Sequence, residues 1–200
     1  MNKKFVVLLT VLCMVLTLLP SSFALADDST EEHHFDEGTI ITAGTPSEIG
    51  KVEYKCTDPG CDASYVLYYY EDKGEISIAG GEGSEIVIPN NIGDSAVKYI
   101  HSNAFGWNYD LETIIISDGI ESIGEWAFCR CGNLKKIVLP DSLISIGYKS
   151  FSYCSSLREI NIPNSVTWIG NSAFANCTSL NQINLPDGLQ SIGGYAFNGC

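Results

Sequence analysis

Along residues 86–200 the apolar positions return at a fixed period that suits neither a long helix nor a simple alternating strand. Phe105, Phe128, Phe151, Phe174 and Phe197 stand 23 residues apart. Leu111, Leu134, Leu157 and Leu180 keep that spacing, as do Ile114, Ile137, Ile160 and Ile183. Ile123, Ile146, Ile169 and Ile192 continue it, each followed by a glycine: Gly124, Gly147, Gly170 and Gly193. Cys131, Cys154, Cys177 and Cys200 complete the set. Self-similarity of this kind marks a solenoid built from one small unit.

The unit from Cys154 to Phe174 can be read residue by residue. Ile160 and Ile162 alternate with polar neighbours, which predicts a short half-buried strand. Pro163 lacks a ladder donor and ends it, and Pro140 and Pro186 stand at the same place. Val166 and Ile169 form a second apolar pair on the return path. The glycine that follows is expected to supply a positive φ. Ala173 and Phe174 are expected to plug the interior on a short helical turn. One such unit cannot bury its own apolar face. Stacking gives each strand a parallel neighbour about 4.8 Å away and turns the apolar columns into internal ladders. The expected fold class is a repeat solenoid, a right-handed stack of short parallel β-strands with short helical turns and an N-terminal β-hairpin cap.

The first unit is irregular. Ile86-Val87-Ile88-Pro89 keeps the strand-then-proline step, but five extra residues lie around Gly93-Asp94-Ser95. His101 replaces the glycine and Asn108 the cysteine. Terminal repeats depart from the consensus because they cap the stack. Upstream, Tyr65 to Tyr70 is rich in strand formers. It is expected to pair with Glu75 to Ala79 as a hairpin that covers the first edge, since an open edge invites aggregation. At the far end Cys200 stands three residues before the next strand would begin. The natural protein is therefore expected to continue, or another chain to cover this edge by edge-to-edge association.

The unit Cys-x-x-Leu-x-x-Ile-x-Ile-Pro…Ile-Gly-x-x-Ala-Phe resembles the BspA-like class of bacterial leucine-rich repeats over Ile86 to Cys200. Ser142, Ser165 and Gly188 occupy the position after the strand where the general leucine-rich repeat carries asparagine, so an asparagine ladder is absent. The resemblance implies an extracellular or surface-displayed protein. It also implies protein binding, often adhesion to host or matrix molecules or to other cells; it does not imply a catalytic residue.

The ends and the charge narrow this further. Lys3 and Lys4, an apolar run from Phe5 to Leu19 and Ala24-Leu25-Ala26 read in order as a secretory signal peptide, residues 1–26. The run is short for a membrane span of about 20 residues. No membrane insertion is expected after cleavage, and the localisation expected is secreted or cell surface. Losing Lys3 and Lys4 takes the net charge from −13 to −15. So acidic a chain repels nucleic-acid phosphates and anionic lipid surfaces. Residues 27–52 are acidic and polar and read as a disordered leader. Residues 53–85 form the expected cap, and 86–200 the repeats, with no C-terminal cap.

Candidate chemistry is sparse. Seven cysteines remain after cleavage, an odd number, in a setting that permits disulfides. Cys56-Thr57-Asp58-Pro59-Gly60-Cys61 is a tight turn between two thiols, and a Cys56–Cys61 disulfide is expected there. Two free thiols, or pairing elsewhere, are the alternatives. A zinc site needs four ligands converging on one point. The repeat cysteines spread along an axis and read as small buried residues. His33-His34 could bind a metal weakly, but it lies in the acidic leader that reads as disordered. No metal and no cofactor are expected. G-x-S-x-G, H-E-x-x-H and P-loop patterns are missing, and no enzyme is expected.

The best candidate surface is the outer side of the first strand of each unit. One column there is Thr113, Lys136, Glu159 and Gln182; the next is Ile115, Val138, Asn161 and Asn184. These positions vary while the buried ones do not, either because they bind a partner or because nothing constrains them. Trp107, Trp126, Trp168 and Tyr195 also fall at variable positions, as interface anchors or as loop packing. The expected function is a secreted or cell-surface module for protein binding or adhesion. The alternative is a structural spacer or targeting arm for a domain beyond Cys200.

Overall fold

The computed structural model describes residues 33–200; the expected signal peptide, and the leader up to residue 32, lie outside the described residues. Four strands form an antiparallel meander at the start: β1 (Thr39–Thr42), β2 (Gly50–Lys55), β3 (Ser64–Asp72) and β4 (Glu75–Glu82). Val52, Tyr54, Tyr65, Leu67, Tyr69, Ile76 and Ile78 alternate inward along β2 to β4 and are buried. The leader was expected to be disordered through residue 52, yet β1 and the start of β2 lie inside it. Backbone pairing to β2 holds β1 although its own side chains are exposed.

Each following coil contributes two short strands. The first strands are β5 (Glu85–Ile88), β8 (Thr113–Ile116), β10 (Lys136–Val138), β12 (Glu159–Asn161) and β14 (Gln182–Asn184). In these, β5, β8 and β10 form one parallel ladder, and β12 pairs with β14. The second strands are β7 (Ser95–Ile100), β9 (Ser122–Ile123), β11 (Ser145–Ile146), β13 (Trp168–Ile169) and β15 (Ser191–Ile192), parallel and in register. The hairpin caps this second ladder, because β4 pairs in parallel with β7 and the meander and the return strands become one ten-stranded sheet. The five extra residues of the first unit make a tight antiparallel hairpin of β6 (Asn91–Ile92) with β7, turning at Gly93 and Asp94.

The core is a set of ladders. Consecutive phenylalanine rings from Phe105 to Phe197 stack almost parallel, with centroids 5.1, 5.2, 5.2 and 5.4 Å apart. That spacing is close to the strand-to-strand distance, so the rings follow the backbone repeat. The Leu and Ile columns lie beside them and are buried from Leu111 through Leu180.

Two expectations need correction. No helix exists among the described residues. The Ala-Phe step lies instead on consecutive four-residue turns, with Gly106 N–H donating to Asn103 O at 3.2 Å and Asn108 N–H to Phe105 O at 3.0 Å. Asn103 and Trp107 take positive φ, as do Trp126 and Arg130, Lys149 and Tyr153, and Ser172 and Asn176 in later coils. The reason lies in the donors left between. The N–H groups of Asn103, Phe105 and Trp107 reach the Glu125, Ala127 and Cys129 carbonyls of the next coil at 2.9, 2.7 and 2.8 Å. A helix would aim these donors along its own axis and lose the coil-to-coil ladder. Bulky residues at positive φ are strained, and the surrounding ladder holds them there.

The second correction concerns the glycine column. Gly124, Gly147, Gly170 and Gly193 are not among the residues with positive φ. They are required by close approach of backbones. A Cβ on Gly147 would stand 2.7 Å from the Gly124 carbonyl carbon and oxygen, and one on Gly170 would stand 2.6 Å from Tyr148 N.

Replacing Phe151 by alanine opens the middle of the ring stack and is expected to destabilise the protein by about 3–5 kcal/mol in chemical denaturation. Gly147→Ala is expected to cost about 1–3 kcal/mol, since it forces two coils apart. Gly132→Ala, whose Cβ would meet nothing nearer than 3.7 Å, is expected to stay within about 0.5 kcal/mol of the parent. Equal effects at Gly147 and Gly132 would refute the close-approach explanation.

Candidate functional site

The register of the first strands fixes what their outer faces present. Lys136 lies beside Thr113 and Val138 beside Ile115; Glu159 lies beside Gln182 and Asn161 beside Asn184. β5 extends the columns with Glu85 beside Thr113 and Val87 beside Ile115. Ile114, Ile137 and Ile160, between these positions, point inward and are buried. All eight predicted face residues are half-buried or exposed, with Lys136, Asn161, Gln182 and Asn184 exposed. The residues thus fall on two ladders, β5-β8-β10 and β12-β14; the Val87, Ile115, Val138, Asn161, Asn184 column changes from apolar to polar, and the other is polar or charged throughout.

The positive-φ turns build a second exposed surface that sequence reasoning located only in part. Trp107 and Trp126 stack with centroids 6.5 Å apart and planes 4° apart. Lys149 Nζ lies 4.4 Å from the Trp126 ring centre and 5.1 Å from that of Tyr148, and the Arg130 guanidinium lies 4.8 Å from that of Tyr153. Cation–π contacts of this kind hold long side chains flat on the rings. Tyr195, at the same phase as Trp126, is 78% exposed. Trp168 sits elsewhere, on β13.

The repeat cysteines have a structural role. Cys131, Cys154, Cys177 and Cys200 each donate their thiol proton to the Phe105, Phe128, Phe151 and Phe174 carbonyls of the preceding coil, all at 3.1 Å. Asn108 does the same in the first coil, donating to Gly81 O at 3.3 Å. Burial pushes the Cys131 and Cys177 thiols up to about 12. These thiols therefore stay protonated at neutral pH, as the donor role requires. Ser152 makes a comparable bond to Ala175 O at 3.0 Å.

Cys56 and Cys61, expected to be disulfide-bonded, are both free thiols in the structure. His33 joins them: its Nδ1 lies 3.7 Å from Cys56 Sγ and 3.2 Å from Cys61 Sγ. Burial first, then the neighbouring Cys61 thiol, push Cys56 up to about 11. Sequence reasoning had set His33 aside as part of a disordered leader. The available signal was a C-x4-C turn with a histidine pair upstream, but nothing in the spacing showed that the segment folds back. His101, the histidine of the array, lies with its ring 5.8 Å from Tyr70, beside an open groove of about 500 Å³ that Glu75 and Tyr99 also line.

The sequence pattern of the BspA type leucine rich repeat region matches residues 84–200 in six copies. Among solved structures, a T. pallidum leucine rich repeat protein is similar, with a TM-score of 0.64 and 32% identity over 66% of this chain and 64% of that one. A leucine rich cell surface protein from Faecalibacterium prausnitzii gives 0.61 and 28% over 67% of this chain and 35% of that one. A leucine-rich repeat protein from Bacteroides ovatus gives 0.52 and 30% over 67% of this chain and 43% of that one. The match thus spans less than two thirds of each of these three relatives. No curated protein matches the sequence. With more than half of its residues in the matching array and the same coil geometry in solved relatives, the chain belongs to the BspA-type leucine-rich-repeat family.

Proposed function

We propose that this chain is a secreted or cell-surface module that binds a protein partner, in adhesion to host, matrix or another cell, through the outer face of its first strands. One observation carries the reading. Thr113, Ile115, Lys136 and Val138 stand in register on one pair of strands, and Glu159, Asn161, Gln182 and Asn184 on the next pair, all at outward positions beside an unvarying column of isoleucines. A rigid backbone carrying varied side chains can present a specific surface with little ordering cost on binding. The membership of a family that includes a described cell surface protein supports the localisation. Nothing in the proposal uses catalysis.

A spacer or targeting role is the second reading. It is favoured by the match covering only 35% of the Faecalibacterium protein, so that the matched stretch is one part of a longer chain.

The test is the quadruple variant Lys136→Glu, Val138→Lys, Glu159→Lys and Asn161→Glu, compared with the parent on immobilised extracellular-matrix proteins and whole cells. The parent is expected to bind at least one of these surfaces, and the variant to lose at least tenfold in affinity with an unchanged circular-dichroism spectrum. Undiminished binding by a folded variant would exclude the strand face. Absence of binding by the parent to every surface would favour the spacer.

A further inference from the structure

At the N-terminal end of the described chain the segment around His33 folds back onto the Cys56–Cys61 turn. Several contacts stitch the two together. Phe35 bridges Cys56 in antiparallel fashion. Thr57 donates to His34 O from its N–H at 2.7 Å and from its hydroxyl at 3.0 Å. Asp58 accepts the His34 N–H at 2.9 Å and faces the His34 ring at 3.0 Å. Below the turn, Phe35 meets Tyr65 edge-on at 4.7 Å, and Tyr65 stacks on Tyr54. These contacts place the His33 ring over the two sulfurs independently of any bond between them.

The ligand atoms of His33, Cys56 and Cys61 all lie within 4.8 Å of one another. Zinc bonds of about 2.3 Å to sulfur and about 2.0–2.1 Å to nitrogen, at a tetrahedral angle, put sulfur and nitrogen about 3.6 Å apart. The two observed separations, 3.7 and 3.2 Å, bracket that value. The surroundings also suit a metal. His33 Nε2, on the far side of the ring, faces Glu85 Oε2 at 3.8 Å. That separation is too long for a hydrogen bond, but a small closing movement would make Glu85 the carboxylate that orients a ligating histidine. The Ala63 N–H points at Cys61 Sγ at 3.4 Å, a contact that stabilises a thiolate. All three residues are half-buried, so an ion has access from solvent.

We propose that His33, Cys56 and Cys61 form a zinc site that fastens the N-terminal segment to the cap, with water completing the coordination. Each thiol releases its proton on binding, and no electron is transferred. Two thiolates and an imidazole select zinc over magnesium or calcium, which prefer oxygen. Cys131, Cys154, Cys177 and Cys200 do not compete. Each is directed at a backbone carbonyl, and the coils set them one behind another. The site is independent of the strand face, so loss of one leaves the other standing.

The test uses the protein purified with its thiols reduced, loaded with zinc or cobalt(II) and dialysed. One metal per chain is expected by elemental analysis. Cobalt is expected to give near-ultraviolet thiolate charge-transfer absorption and the visible bands of a tetrahedral ion. His33→Gln, Cys56→Ser and Cys61→Ser should each weaken binding at least tenfold, while Cys200→Ser leaves it unchanged. His33→Gln alters a half-exposed side chain outside the repeats, so a folded variant is available whatever the cysteine changes do. Zinc should also slow proteolysis at Glu37 and Gly38 in the parent but not in His33→Gln. The proposal is overturned if the reduced protein retains no metal or if His33→Gln binds as tightly as the parent. A Cys56–Cys61 disulfide in the protein from its natural source, found by mass spectrometry, would also overturn it.

Discussion

The stacking of one coil on the next is the constraint from which the rest follows. Each coil hands backbone donors to its neighbour at the second strand and along the turn, and most do so at the first strand as well, where β5, β8 and β10 form one ladder and β12 and β14 another. Phe128 N–H reaches Ser150 O at 2.7 Å and Phe151 N–H reaches Ala173 O at 2.8 Å, and the same step recurs at Phe174. The vertical repeat set by these bonds is what lets phenylalanine rings stack at about 5 Å and cysteine thiols find carbonyls one coil back. It also forces backbones so close that only glycine fits at Gly124, Gly147, Gly170 and Gly193. In a solenoid, stability is a sum of such nearest-neighbour terms.

The same constraint separates structure from recognition. Inward positions are locked by their ladders, so substitutions there propagate through neighbouring coils. Outward positions on the first strands are held in register within each ladder by backbone bonds, and their side chains are free to differ. Thr113, Lys136, Glu159 and Gln182 share a column but not a chemistry. The turns work differently. Their positive-φ residues carry bulky side chains that lie against surface neighbours instead of pointing inward, Lys149 on Trp126 and Arg130 on Tyr153.

Much of the fold was legible in the sequence, because period and burial coincide. The phenylalanine, leucine and isoleucine columns, the proline stops and the hairpin between Tyr65 and Ala79 were all readable from residue type and spacing. Three features were not. Turns with tryptophan, arginine or lysine at positive φ carry no local signal, since those residues do not prefer that conformation; only the ladder to the next coil imposes it. The glycine column looked like a φ requirement because a single sequence cannot distinguish conformational need from close approach. His33 lay in a segment whose composition suggested disorder, and it is brought to Cys56 and Cys61 by backbone pairing of residues far apart in the chain. Of the candidate site, the strand columns were found by their phase, and the surface of stacked tryptophans only as scattered variable positions.

Native-state hydrogen exchange, resolved by residue, tests the coil-stacking account most directly. If neighbouring coils hold each other, the amides of Phe128 and Phe151, bonded between inner coils, exchange slowest and at similar rates. In a chain that stops at Cys200, those of the outermost coil, such as Gly193 and Asn198, exchange much faster although their own bonds, 2.7 and 3.1 Å, lie in the same range as those of the inner coils. A protection pattern that tracked individual bond lengths, with the last coil as slow as the inner ones, would contradict the account.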